Sequence, residues 1–109
     1  MLFRSRIDGS YVLGGQTKAT RTLNISEGGC TLDTGMITET APGDIEVCLL
    51  LPSGQAMRIR GSVAWTRAPR FSLERSLTIT AALGVQYTET PPPEYHAILG
   101  ELAACTTPT

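Results

Sequence analysis

Between residues 7 and 87 apolar and polar side chains alternate in short runs, and most runs end on glycine or proline. Alternation with a period of two is the pattern of strands with one buried face, and breaks this frequent leave little room for helices of ordinary length. The chain is thereby directed to a small antiparallel β architecture. Residues 7–13 form the first run and stop at Gly14-Gly15. Residues 17–26 read as its hairpin partner, with Ala19, Leu23 and Ile25 on one face and Thr20, Thr22, Asn24 and Ser26 on the other.

Gly28-Gly29 then turns the chain into a short strand, Cys30 to Asp33, and Pro42-Gly43-Asp44 turns it again into Ile45–Leu51. After Pro52-Ser53-Gly54, the residues Met57, Ile59, Val63 and Trp65 alternate with Arg58, Arg60, Ser62 and Ala64. That predicts a strand with a basic outer face and with Trp65 in the core or at its rim, the alternative being an indole that stacks on a base. Residues 67–80 read as a polar, arginine-bearing loop, and Leu83, Val85 and Tyr87 mark a last strand. In the tail the period changes. Pro91-Pro92-Pro93 can open a helix, and Tyr95, Ile98, Leu99 and Leu102 fall at helical spacing on one face. The expected fold is mainly all-β: a small six-stranded antiparallel split barrel with a C-terminal α-helix. We expect one domain over residues 1–109, with a flexible arm at 1–6, the barrel at 7–88 and the helix at 93–104.

Composition narrows the function classes. An apolar fraction of 41% at a net charge of −1 fits a packed globular chain and speaks against a general DNA or RNA duplex binder, where a basic domain is expected. The longest apolar run, Val47 to Leu51, is far short of the roughly 20 residues of a membrane span. The first residues lack the apolar stretch of a secretory signal, so a cytoplasmic location is expected. Cys30, Cys48 and Cys105 are widely spaced, without a C-x-x-C, and suggest neither a disulfide framework nor a metal site. His96 is the single histidine, which leaves no Ser/His/Asp or Cys/His set for nucleophilic catalysis. No enzyme activity, catalytic residue or cofactor is expected. Charge is uneven, however: Arg4, Arg6, Lys18 and Arg21 crowd the N-terminus, and Arg58, Arg60, Arg67, Arg70 and Arg75 a later stretch. Two basic stretches that converge suit a small anionic ligand.

One short motif stands out. Asn24-Ile25-Ser26-Glu27-Gly28-Gly29 carries [D/N]-x-S-x-x-G at Asn24, Ser26 and Gly29. It closes a second strand and is followed by a short strand, a Pro-Gly turn, an apolar strand, Gly61-x-Val63-x-Trp65, Leu83-Gly84-Val85-x-Tyr87 and a terminal helix. In motif and order, residues 7–104 resemble the PilZ family, the bacterial receptor modules for cyclic di-GMP. The resemblance implies a non-catalytic cyclic di-GMP receptor or adaptor in second-messenger signalling that works on an effector protein.

Asn24 and Ser26, two apart on a strand, share its outward face, and their side chains can donate to or accept from a guanine edge. Gly29, without a β-carbon, permits a left-handed turn and a close backbone approach. Local turn closure by the same two polar side chains is the bland alternative. The family's arginine element, R-x-x-x-R, is incomplete: the arm offers Arg4 and Arg6 as R-x-R. Lys18 and Arg60 are possible substitutes. The expected ligand site is Arg4, Arg6, Asn24, Ser26, Gly28 and Gly29, with no metal ligand among them. The rival expectation is a PilZ-like adaptor that has lost the nucleotide and works by protein contact.

Overall fold

A computed structural model describes residues 3–39 and 43–106 of the chain, with side chains as far as residue 101. The strands are β1 (Phe3–Arg4), β2 (Asp8–Leu13), β3 (Gln16–Ile25), β4 (Gly29–Gly35), β5 (Asp44–Leu50), β6 (Ala56–Arg67), β7 (Arg70–Ser72), β8 (Leu77–Ile79) and β9 (Ala81–Tyr87), and one helix, α1 (Pro93–Thr106), follows. The main sheet runs β1-β3-β2-β5-β6-β9-β4, and a further pairing joins β4 back to β3. Six antiparallel strands thus close a barrel, β1 is an extra strand on β3, and β7–β8 form a separate hairpin. Closure satisfies the edge groups that an open sheet would leave unpaired.

Alternation explains where the core lies. On β5, Ile45, Val47 and Leu49 point inward while Glu46 and Cys48 are half-buried, and on β6 Met57 and Ile59 are buried between exposed Arg58 and Arg60. Tyr11, Ile25, Leu32, Leu83 and Val85 complete the interior, and α1 adds Tyr95 and Leu99. Leu102, expected on the same helical face, lies outside the residues whose side chains are described, and Pro42 of the expected Pro-Gly turn lies outside the described residues. No helix among the described residues is long and apolar enough to cross a membrane.

Three bulges depart from simple alternation, between Thr22 and Asn24, between Asp33 and Gly35, and between Val63 and Trp65. An extra residue in one strand reverses side-chain parity beyond it. Thr22, expected on the outer face, is therefore fully buried, and Leu23, expected in the core, is only half-buried. Trp65, expected in the core or at its rim, is 46% exposed. The arginine-bearing stretch 67–80, expected as a loop, contains the β7–β8 hairpin.

In the N-terminal segment, expected as a flexible arm, residues 3–7 are paired to β3. Phe3 pairs with Ile25 and Arg4 with Asn24. Ser5 N–H donates to the Leu23 carbonyl, and Thr22 N–H to that of Ile7. The buried Thr22 hydroxyl fastens the segment from below, accepting from Ile7 N–H at 2.9 Å and bonding the Ser5 hydroxyl at 2.8 Å. Phe3 and Ile7 then pack against the core, while Arg4 and Arg6 stay exposed on the outer side.

Candidate ligand-binding site

Cross-strand pairing aligns five residues in one row over five strands: Arg4 of β1 with Asn24 of β3, Asn24 with Thr31 of β4, Thr31 with Gly84 of β9, and Gly84 with Trp65 of β6. Directly paired residues share a face. Their neighbours Ile25, Cys30, Leu32, Leu83 and Val85 are buried, so the row lies on the barrel's outer surface. At its far end the Trp65 indole covers Gly84, where a β-carbon would collide with it.

A groove follows this row. One lobe, about 610 Å³, is lined by Arg4, Ser5, Arg6, Leu23, Asn24, Thr31, Trp65 and Arg67. The second, about 220 Å³, adjoins it through Asn24, Thr31 and Trp65 and reaches Ser26, Gly28, Gly29 and Gln86, the last directly across the sheet from Gly29. All six residues expected from the sequence therefore line this groove, Arg4 and Arg6 in the first lobe, Ser26, Gly28 and Gly29 in the second, and Asn24 in both. Sequence reasoning missed Arg67, Leu23, Thr31 and Gln86, and for Trp65 it favoured core or rim packing over stacking on a base. Only the bulge at Val63/Trp65 turns Trp65 and Arg67 to this side, and no residue type announces that bulge in the sequence.

Electrostatics sets the groove apart. Three arginines and no carboxylate stand among its lining residues. Two other depressions carry carboxylates beside their single arginine: Asp44 and Glu46 with Arg60 in one of about 430 Å³, Asp8 and Asp33 with Arg21 in one of about 560 Å³. Converging guanidinium groups free of competing carboxylates favour an anion. Neither proposed substitute reaches the groove. Lys18 is held 3.0 Å from Glu39, and Arg60 lines the first of the other depressions. No group of three or more His, Cys, Asp or Glu side chains able to hold a metal ion occurs among the described residues.

The motif turn is held from both sides. Ser26 N–H donates to the Gly29 carbonyl at 2.8 Å and the Ser26 hydroxyl donates to the same oxygen at 3.2 Å, so the serine does close the turn locally. Its oxygen keeps acceptor capacity toward the groove. Neither Gly28 nor Gly29 has a positive φ, so the left-handed turn expected at Gly29 is absent. Gly29 is needed for packing instead, because a β-carbon there would strike the Val85 carbonyl across the sheet.

From beneath, Tyr95 of α1 donates to the Ser26 carbonyl at 2.7 Å and shares that proton with the Gly29 carbonyl at 3.2 Å. It accepts from the Tyr87 hydroxyl at 2.8 Å. Burial pushes the Tyr95 hydroxyl up to about 12 and the Cys30 thiol below it up to about 11, so both stay protonated at neutral pH. Tyr95 is therefore a permanent donor to the turn. His96, beside it, is exposed and outside the groove.

Comparison with known proteins agrees with this architecture. The sequence model of the PilZ domain matches residues 3–104. The solved PilZ domain with c-di-GMP of YcgR from Escherichia coli is similar in structure at a TM-score of 0.68 and 13% identity, over 95% of this chain and 87% of that one. The Bacillus subtilis inhibitor of motility (MotI/DgrA) is similar at a TM-score of 0.67 and 15% identity, over 94% of this chain. This chain spans about half of that protein's length, 48%. No curated protein matches in sequence.

Proposed function

The chain belongs to the PilZ domain family, and from that premise we propose that it is a non-catalytic receptor that takes cyclic di-GMP in the groove between Arg4 and Trp65. One observation carries the reading: Arg4 is paired directly with Asn24, so the basic N-terminal segment and the polar motif open into one groove free of carboxylates.

The chemistry divides among the lining residues. Arg4 and Arg6 are exposed and meet the two phosphodiester charges through charge-assisted bonds. Asn24 Oδ1, buried and without a partner, accepts from a guanine N–H. Ser26 adds one neutral hydrogen bond, and the backbone at Gly28 and Gly29 allows the ligand to lie close. Trp65 offers its exposed indole face to a base.

The adaptor reading has its own support in the β7–β8 hairpin. Phe71, Leu73, Leu77 and Ile79 are all exposed there, a surface suited to an effector protein. In the receptor reading this surface serves the output and the groove the input.

Calorimetric titration of the intact chain with cyclic di-GMP separates the two. The receptor reading expects saturable binding, with Ser26→Ala weakening it only several-fold because one neutral hydrogen bond is worth about 1 kcal/mol. No heat of binding up to about 100 μM ligand, a Kd range worth about 5 kcal/mol and more, would leave the adaptor reading in its place.

A further inference from the structure

Arg67 is turned to the groove by the bulge in β6, two residues beyond Trp65. Its Nη2 donates to the Thr80 carbonyl at 3.1 Å, which holds the guanidinium at the root of the β7–β8 hairpin. Its Nε is buried and has no hydrogen-bond partner. Asn24 Oδ1, which lines the same lobe, is also buried and unpartnered.

Buried polar groups in folded proteins nearly always find partners, and an orphan is a reason to look for a ligand. Here one orphan donor and one orphan acceptor line a single groove without bonding each other. A ligand that carries both an anionic oxygen and an N–H edge supplies what each lacks. Arg67 and Trp65 lie two apart on β6 and line the same lobe, so an anion held by the guanidinium leaves an attached base near the ring.

We propose that Arg67 is an anion-binding residue of the groove, taking a phosphodiester oxygen of the same ligand that Arg4 and Arg6 engage, from the β6 side. The inference rests on the receptor reading and adds a third guanidinium to it. Because Nη2 is committed to Thr80, the ligand meets the remaining edge of a side chain already fixed in place, which lowers the ordering cost of binding. The bond to Thr80 also joins the groove to the hairpin that carries the exposed apolar side chains. Occupancy at Arg67 therefore bears on the surface offered to an effector.

The test is titration of Arg67→Gln, Arg67→Lys and Arg70→Gln with cyclic di-GMP at two salt concentrations, with melting temperatures recorded alongside. Arg70 is exposed on β7 and lines neither lobe. We expect Arg67→Gln to weaken binding about tenfold or more and to lower the salt dependence by about one released ion. Arg67→Lys keeps the charge without the fork and falls between, while Arg70→Gln binds like the intact chain. Intact-like affinity in Arg67→Gln overturns the proposal. So does a loss of affinity with an unchanged salt dependence, because that marks a purely structural bond to Thr80. If Arg67→Gln does not fold, Arg67→Lys decides by affinity and melting temperature, since it keeps the charge: weaker binding at an unchanged melting temperature supports the proposal, and intact-like affinity, or a loss that follows a lowered melting temperature, overturns it. Failure of the unmodified chain to bind overturns the receptor reading and this inference together, whereas binding that ignores Arg67 overturns the inference alone.

Discussion

Trp65 stands directly across the sheet from Gly84, and its indole occupies the space that a β-carbon at residue 84 would need. The glycine is thus the seat of the ring that walls one side of the groove. Gly84→Ala should push the indole outward and leave the fold intact, since the obstructed atoms belong to a side chain that is 46% exposed. Trp65 is the only tryptophan, so its fluorescence reports on the groove without a label. We expect cyclic di-GMP to quench it in the unmodified chain and to need a several-fold higher concentration in Gly84→Ala. Saturable binding with no change in emission would remove Trp65 from the site.

How much of this was legible in the sequence depends on the bulges. Strand parity predicts correctly that Ile45, Val47, Met57, Ile59, Leu83 and Val85 are buried, because β5 and the first half of β6 keep strict alternation and β9 carries no extra residue. The same rule fails beyond Thr22 and beyond Val63, where one extra residue swaps the faces. It therefore put Thr22 outside and favoured the core or its rim for Trp65, and it could not bring Arg67 to the groove. The four motif residues line the groove because they are polar or glycine at fixed spacing, which survives a local shift of register, whereas Arg4 and Arg6 lack the expected spacing and were legible only as charge on the N-terminal segment. The pairing of Arg4 with Asn24 is a long-range contact, and composition near the N-terminus suggests it only as a cluster of charge.

Tyr95 ties helix to motif, and removing only its hydroxyl isolates that tie. Tyr95→Phe keeps the buried ring but leaves the Tyr87 hydroxyl and two carbonyls short of a partner. A loss of about 1–3 kcal/mol is expected, which for a domain of this size lowers the melting temperature by roughly 4–8 °C per kcal/mol. Ligand affinity should fall as well, because the turn at Ser26 and Gly29 loses its support. An unchanged melting temperature would show the shared hydrogen bond to be weak.

Thr22 makes a separate test of the N-terminal clasp. Thr22→Val is nearly isosteric but deprives Ile7 N–H and the Ser5 hydroxyl of their buried partner. Amide exchange at Ser5 and Ile7 should accelerate while β5 and β9 stay protected. Equal protection in both proteins would mean that the β1–β3 pairing alone holds the segment.

Acid should act through Glu39. Burial pushes its carboxyl up, but hydrogen bonds from Tyr11 and Lys18 and the nearby ammonium charge outweigh it, and its pKa lies below the ordinary value. A lowered folded-state pKa contributes stability that is present above the unfolded value and is lost as pH falls through the folded one. The melting temperature should therefore drop more steeply below about pH 4 in the unmodified chain than in Glu39→Gln. Parallel curves would show that the Tyr11–Glu39–Lys18 cluster adds nothing specific.

The central claim is that the arm and the motif form one anion site, and paired calorimetric titrations of the unmodified chain and of the double variant Arg4→Ala, Arg6→Ala test it most directly. Two charge-assisted bonds at about 1.5–3 kcal/mol each predict a loss of roughly a hundredfold or more in cyclic di-GMP affinity, with a melting temperature close to that of the unmodified chain because both side chains are exposed. Binding of cyclic di-GMP with the same affinity by both proteins would contradict it.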